Sequence, residues 1–95
     1  MSGRSLVRKI YYEMYTVYIL KSEKTGKLYI GQTNNINKRL WRHQNNMVLS
    51  TKNRGPWILI KTIPFENRSQ AVQMEYKLKK MKNPQRILSY LSKYG

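Results

Sequence analysis

Apolar and β-branched residues cluster in three short runs with the composition of strands. The first is Tyr15 to Lys21, Tyr-Thr-Val-Tyr-Ile-Leu-Lys, which is apolar on both faces and so predicts a central place in a sheet. Ser22 to Gly26 is turn chemistry, with Gly26 able to take positive φ. Lys27 to Gln32 then returns as the second strand of a hairpin. An even-numbered loop puts Tyr18 and Tyr29 on one face, because side chains alternate with period two. With four residues in the loop, Tyr18 stands opposite Gly31, where the missing side chain leaves room. Trp57 to Ile63 reads as a third strand, and Pro64 is expected to end its pairing.

The polar stretches between and after these runs switch to a helical period. Asn34 or Asn35 can cap a helix in which Ile36 and Leu40 form an apolar seam. Arg39 and His43 repeat the same i, i+4 spacing on a bordering face. Asn45 to Pro56 is a polar, basic loop. Asn67 or Ser69 caps a second helix, about Ser69 to Met81, with Ala71, Met74, Leu78 and Met81 as its seam and Glu75 set among them. Asn83-Pro84 breaks that helix, and Pro84 suits the first turn of a third helix carrying Ile87, Leu88 and Leu91. The order ββαβαα predicts an α+β fold, a three-stranded antiparallel sheet flanked by helices. Residues 1–13 hold Arg4, Arg8 and Lys9 without a period. They are expected to form a partly disordered basic arm ahead of a single domain over residues 14–95.

Composition changes this picture in two ways. Nineteen basic residues face four acids, all of them glutamate, for a net charge of +15 and a pI near 10.4. Such a surface suits a polyanion, since phosphate contacts supply most non-specific nucleic-acid affinity. An anionic membrane surface fits less well, because the basic residues are scattered and do not line one amphipathic helix. No apolar run approaches the roughly 20 residues of a membrane span. There is no cysteine, so no disulfide or thiolate metal site is available. The expected setting is soluble and cytoplasmic.

Elimination then narrows the chemistry. With no Asp and no Cys, a hard divalent cation has only Glu13, Glu23, Glu66, Glu75, carbonyls and water. The first three fall in the arm, a turn and a loop, where a solvated charge is the simple reading. Glu75 alone lies on an apolar helix face, where a carboxylate needs a cation or a lysine partner. Arg39 could clamp a phosphate bidentately or be a solvated helix residue. His43 could be a general base or core packing. Tyr18 and Tyr29 could be reactive or ordinary sheet tyrosines.

Together, these residues resemble the GIY-YIG nuclease superfamily, in particular its small stand-alone bacterial members. The first family tripeptide reads Val17-Tyr18-Ile19 and the second Tyr29-Ile30-Gly31. Arg39 and His43 follow on a helix and Glu75 on a later one. Gly55-Pro56-Trp57 and Glu75-Tyr-Lys-Leu-Lys79 add to the likeness, which runs from Met14 to about Lys82. The resemblance implies that Tyr18 activates water and Tyr29 positions water or phosphate. Gly31 would permit close backbone approach, Arg39 would contact the scissile phosphate, and His43 would support Tyr18. Glu75 would bind one divalent ion, Mg²⁺ or Mn²⁺. Asn83 is a loose match to a later polar residue of the family.

The expectation is therefore an endonuclease acting on nucleic acid, DNA foremost, in branched, flap or single-stranded form and in repair or recombination. Affinity would come from Lys38, Arg42, Lys52, Arg54, Lys77, Lys79, Lys80 and Lys82. Two alternatives stand beside it. One is a non-catalytic nucleic-acid-binding module on the same scaffold. The other is a subunit that docks to a protein partner through an exposed apolar patch.

Overall fold

The computed structural model describes residues 14–93. The basic arm expected over residues 1–13 lies outside the described residues. Three strands, β1 (Tyr15–Ser22), β2 (Leu28–Thr33) and β3 (Trp57–Phe65), form one antiparallel sheet in the order β2-β1-β3. Three helices complete the chain: α1 (Ile36–Gln44) after the hairpin, then α2 (Arg68–Met81) and α3 (Pro84–Leu91). The α+β order ββαβαα is the one expected, and the doubly apolar first strand is central.

The hairpin loop holds four residues. Ser22 N–H donates to Lys27 O at 2.9 Å, and Tyr18 pairs with Gly31. Gly26 takes the positive φ of +75° that the turn needs. Asn35, Asn67 and Asn83 cap the three helices, accepting from Lys38, Gln70 and Arg86 N–H respectively. Each cap satisfies an amide that the helix start leaves open.

Pro64 does not end the pairing of β3. The strand continues to Phe65, with Thr16 opposite Pro64 and Tyr15 opposite Phe65. Because β3 is an edge strand, the ring can face outward and the missing N–H costs no ladder bond. A bulge between Ile19 and Leu20 leaves Ile60 as the extra residue of β3. It switches the strand's odd residues between faces. Trp57 therefore joins one core cluster and Ile63 the other.

The two clusters lie on opposite faces of the sheet. Val17, Ile19, Ile30 and Ile63 pack beneath α2 and α3 through Ala71, Met74, Leu78, Ile87 and Leu91. On the other face Tyr18, Leu20 and Trp57 pack with Tyr29 and with Ile36 and Leu40 of α1. That second, smaller cluster surrounds the site.

Candidate active site

Tyr18 is fully buried, and its ring passes beneath Gly31. A β-carbon at position 31 would stand 2.6 Å from the Tyr18 hydroxyl oxygen and 2.7 Å from Cζ. The glycine is thus required by a close approach of the strand to a ring on its neighbour. The hydroxyl meets two partners. His43 Nε2 is 2.8 Å away, and Arg39 donates from Nε at 3.3 Å. Both partners come from α1, one turn apart, as their spacing predicted.

His43 is buried, with 1% of its surface exposed. Its second ring nitrogen, Nδ1, is 2.8 Å from the hydroxyl of Thr51, itself fully buried. The Thr51 hydroxyl is also directed at Val48 O, 3.4 Å away. One proton arrangement satisfies every group: Thr51 donates to Val48 O, His43 Nδ1–H donates to Thr51, and Tyr18 O–H donates to the bare Nε2. Arg39 then donates into the remaining lone pair of Tyr18. The Tyr29 ring lies edge-on to His43, with centroids 4.9 Å apart, and closes the pocket from the side.

The loop that delivers Thr51 is held at several points. Trp57 Nε1–H donates to Thr51 O at 3.1 Å, and Gln44 Nε2 donates to Trp57 O at 2.8 Å. The Ser22 hydroxyl donates to Arg54 O at 2.6 Å, while Glu23 N–H donates to Pro56 O at 2.9 Å. These bonds tie the loop to α1 and to the hairpin turn. Thr51 is a site-supporting residue that sequence reasoning missed, and Trp57 was marked by the Gly55-Pro56-Trp57 likeness but not as its support. Thr51 sits in a polar stretch with no periodicity, so nothing in the pattern marks it.

Burial sets the electrostatics. It pushes the Tyr18 hydroxyl up from 10.0 to about 12, against the opposing pull of the Arg39 hydrogen bond. A water-activating tyrosine would need the opposite shift, and the folded protein does not supply it. Burial also pushes His43 down from 6.5 to about 4, with the Arg39 charge adding to the effect. His43 is therefore neutral at physiological pH. Arg39 is shifted up, chiefly by its bond to Tyr18 and least by the charge of Glu75, which is near enough to be felt.

Glu75 lies partly buried on α2, and its Oε2 accepts from Lys79 Nζ at 2.7 Å. No group of three or more His, Cys, Asp or Glu converges among the described residues. The donor set therefore fits neither a zinc-type nor a caged calcium site. It does fit a Mg²⁺-type ion held by one carboxylate and completed by water and phosphate oxygens.

The remaining expected residues scatter over the surface. Lys38, Arg42, Lys52 and Arg54 are exposed on α1 and the following loop. Lys77 and Lys80 lie over the rings of Tyr90 and Tyr76 at 5.0 and 5.3 Å. The side chain of Asn83 caps α3 through Arg86 N–H at 3.1 Å. The outward part of β3 leaves Ile58, Leu59 and Ile60 partly exposed. No helix among the described residues is long and apolar enough to cross a membrane.

The ββαβαα sheet domain thus carries a glycine-covered tyrosine, an Arg and a His on one helix, and a Glu on a later helix. The model of the GIY-YIG catalytic domain matches residues 14–88, and the chain belongs to that family. It is 41% identical over 81 residues to a UPF0213 protein of Clostridium perfringens, covering 84% of this chain and 86% of that one. Similarity to a UPF0213 protein of Nitratidesulfovibrio vulgaris is 37% over 76 residues, covering 79% of this chain and 68% of the other. The solution NMR structure of a UPF0213 protein from Bacillus halodurans superposes with a TM-score of 0.56 at 28% identity, over 86% of each chain.

Proposed function

We propose that the protein is a metal-dependent endonuclease that hydrolyses phosphodiester bonds in nucleic acid, with DNA as its first substrate. The observation that carries this reading is the Tyr18 hydroxyl, which is held between Arg39 Nε and His43 Nε2 under Gly31. A buried hydroxyl with a neutral imidazole on one side and a guanidinium on the other can relay a proton. As water attacks phosphorus, its proton passes to the Tyr18 oxygen and the Tyr18 proton passes to His43 Nε2. Arg39 faces the non-bridging phosphate oxygens, where negative charge accumulates. That contact also neutralises Arg39, so His43 becomes a stronger base once substrate is bound. Glu75 would hold a Mg²⁺ or Mn²⁺ ion, which supplies positive charge for the leaving oxygen. Tyr29 and Thr51 hold the imidazole in place. A role in repair or recombination in the cytoplasm fits the +15 charge and the absence of cysteine.

The upward shift of Tyr18 supports the second reading, a binding module that has kept the scaffold. Cleavage of a labelled panel with Mg²⁺ or Mn²⁺ decides between them. The panel is duplex, single strand, flap, four-way junction and RNA. Tyr18→Phe, Arg39→Ala and Glu75→Ala are each expected to lose roughly 10²-fold or more in rate while melting near the parent temperature. Undiminished cleavage by Glu75→Ala would remove the metal assignment. Salt-sensitive binding with no cleavage of any substrate would favour the module.

A further inference from the structure

A groove of about 470 Å³ runs along the outer edge of β2, bounded by the end of α2 and by α3. Its volume lies within the range of about 300–1,000 Å³ common to small-ligand sites. Leu28, Pro84 and Ile87 give it an apolar floor, and Lys27, Lys79 and Lys82 bring three cations to it. None of its lining residues is acidic. Two of those residues connect it to the active site. Tyr29 lines the groove and also packs against His43, and Lys79 is the partner of Glu75.

Lys82 adds an independent observation. It is the C-cap of α2 and takes φ 60°, ψ −27°, in the left-handed region. Glycine is the residue that suits this position, because a β-carbon there is crowded by backbone. A lysine at such a cap gives up helix stability and places an exposed cation on the groove instead. An apolar slot flanked by cations matches one nucleotide, with the base against the floor and phosphates at the lysines. A base can reach such a slot only when it is unpaired.

We propose that this groove holds an unpaired nucleotide next to the scissile phosphate, so that the protein selects single-stranded or locally opened nucleic acid. The proposal rests on the nuclease reading and names its substrate class. It is tested by binding alone, with the full chain in EDTA, where no metal-dependent cleavage intervenes. The probes are a labelled oligothymidylate, an abasic oligomer of equal length and a duplex. Lys82→Gly is compared with Lys61→Gln, which removes the same charge from β3 at the opposite edge of the sheet.

The parent should bind oligothymidylate more tightly than the abasic strand. Lys82→Gly should weaken oligothymidylate binding about fivefold or more at low salt and flatten the salt slope by about 0.7. It should also narrow the preference over the abasic strand, and it should melt at or above the parent temperature. Lys61→Gln should change affinity less than about twofold, and Lys27→Gln should follow Lys82→Gly. Equal effects of Lys82→Gly and Lys61→Gln, or equal binding of abasic and base-bearing strands, would overturn the proposal. Tighter binding of a Glu-rich peptide than of oligothymidylate would also overturn it, by making the occupant a protein strand. A parent that cleaves nucleic acid but shows no effect of Lys82 loses the groove and keeps the nuclease. A parent that binds no oligonucleotide loses both.

Discussion

Lowering the pH from 7.5 to 4.5 tests the buried histidine directly. His43 is the sole histidine of the chain and is held neutral, with its pKa near 4 where an exposed imidazole has 6.5. Between those two values the unfolded chain binds a proton that the folded chain refuses. Stability therefore falls as pH falls through that window. The contribution is complete above 6.5 and gone below about 4. A gap of that width is worth about 3 kcal/mol, a large share of the 5–15 kcal/mol that holds small domains together. With a urea m-value of about 1–1.5 kcal/mol/M, the unfolding midpoint should drop by roughly 2 M. His43→Gln, which cannot titrate, should start less stable and lose much less over the same range. Only four glutamates compete for the acid transition, and they are common to both proteins. A single imidazole resonance makes the NMR titration unambiguous. If it titrates near 6.5 in the folded protein, or if parent and His43→Gln midpoints fall in parallel, the account of His43 is wrong.

Two further substitutions probe the same cluster. Gly31→Ala places a β-carbon 2.6 Å from the Tyr18 hydroxyl. It should cost about 1–3 kcal/mol by overpacking and push the hydroxyl away from His43, so a variant melting and cleaving like the parent would refute the close approach. Thr51→Val keeps the side-chain shape but removes the acceptor for His43 Nδ1, which should cost about 1–3 kcal/mol as an unpaired buried group. Nitrogen NMR should show the Nδ1–H form reduced in Thr51→Val and restored in Thr51→Ser; an unchanged tautomer would deny Thr51 its orienting role.

The fold was readable because its decisive residues act locally. Tyr15 to Lys21 is apolar on both faces, which suits the strand that is covered on both sides of the sheet. The Ser22–Gly26 turn fixed the register that brings Gly31 over Tyr18. Arg39 and His43 shared a helix face by spacing alone. What escaped depends on partners distant in sequence. Pro64 was expected to end β3 because the outward orientation of an edge strand is a property of the sheet and not of the tripeptide. The bulge at Ile60, which divides β3 between two cores, leaves no mark in the apolar run Trp57-Ile58-Leu59-Ile60. Thr51 reaches His43 through a loop fixed by Ser22, Gln44 and Trp57, so its position is a tertiary result.

The electrostatics show the same limit in a sharper form. A tyrosine that activates water at neutral pH needs its pKa, ordinarily near 10, lowered by neighbouring positive charge. In the folded chain burial outweighs that charge, and Tyr18 moves up while His43 moves down. Both shifts favour neutral side chains, so the unliganded pair is set against proton transfer. The cations that could reverse this are already engaged, Arg39 with Tyr18 and Lys79 with Glu75. On the proposed nuclease reading, a phosphodiester arriving at Arg39 would change both conditions. It would take the guanidinium charge away from His43, raising the basicity of the imidazole, and offer Lys79 a second anion in place of Glu75. The carboxylate would then be free for a cation as the base becomes competent. The unliganded site would be inert because Tyr18 holds Arg39 and Lys79 holds Glu75, and substrate would activate it by replacing those partners.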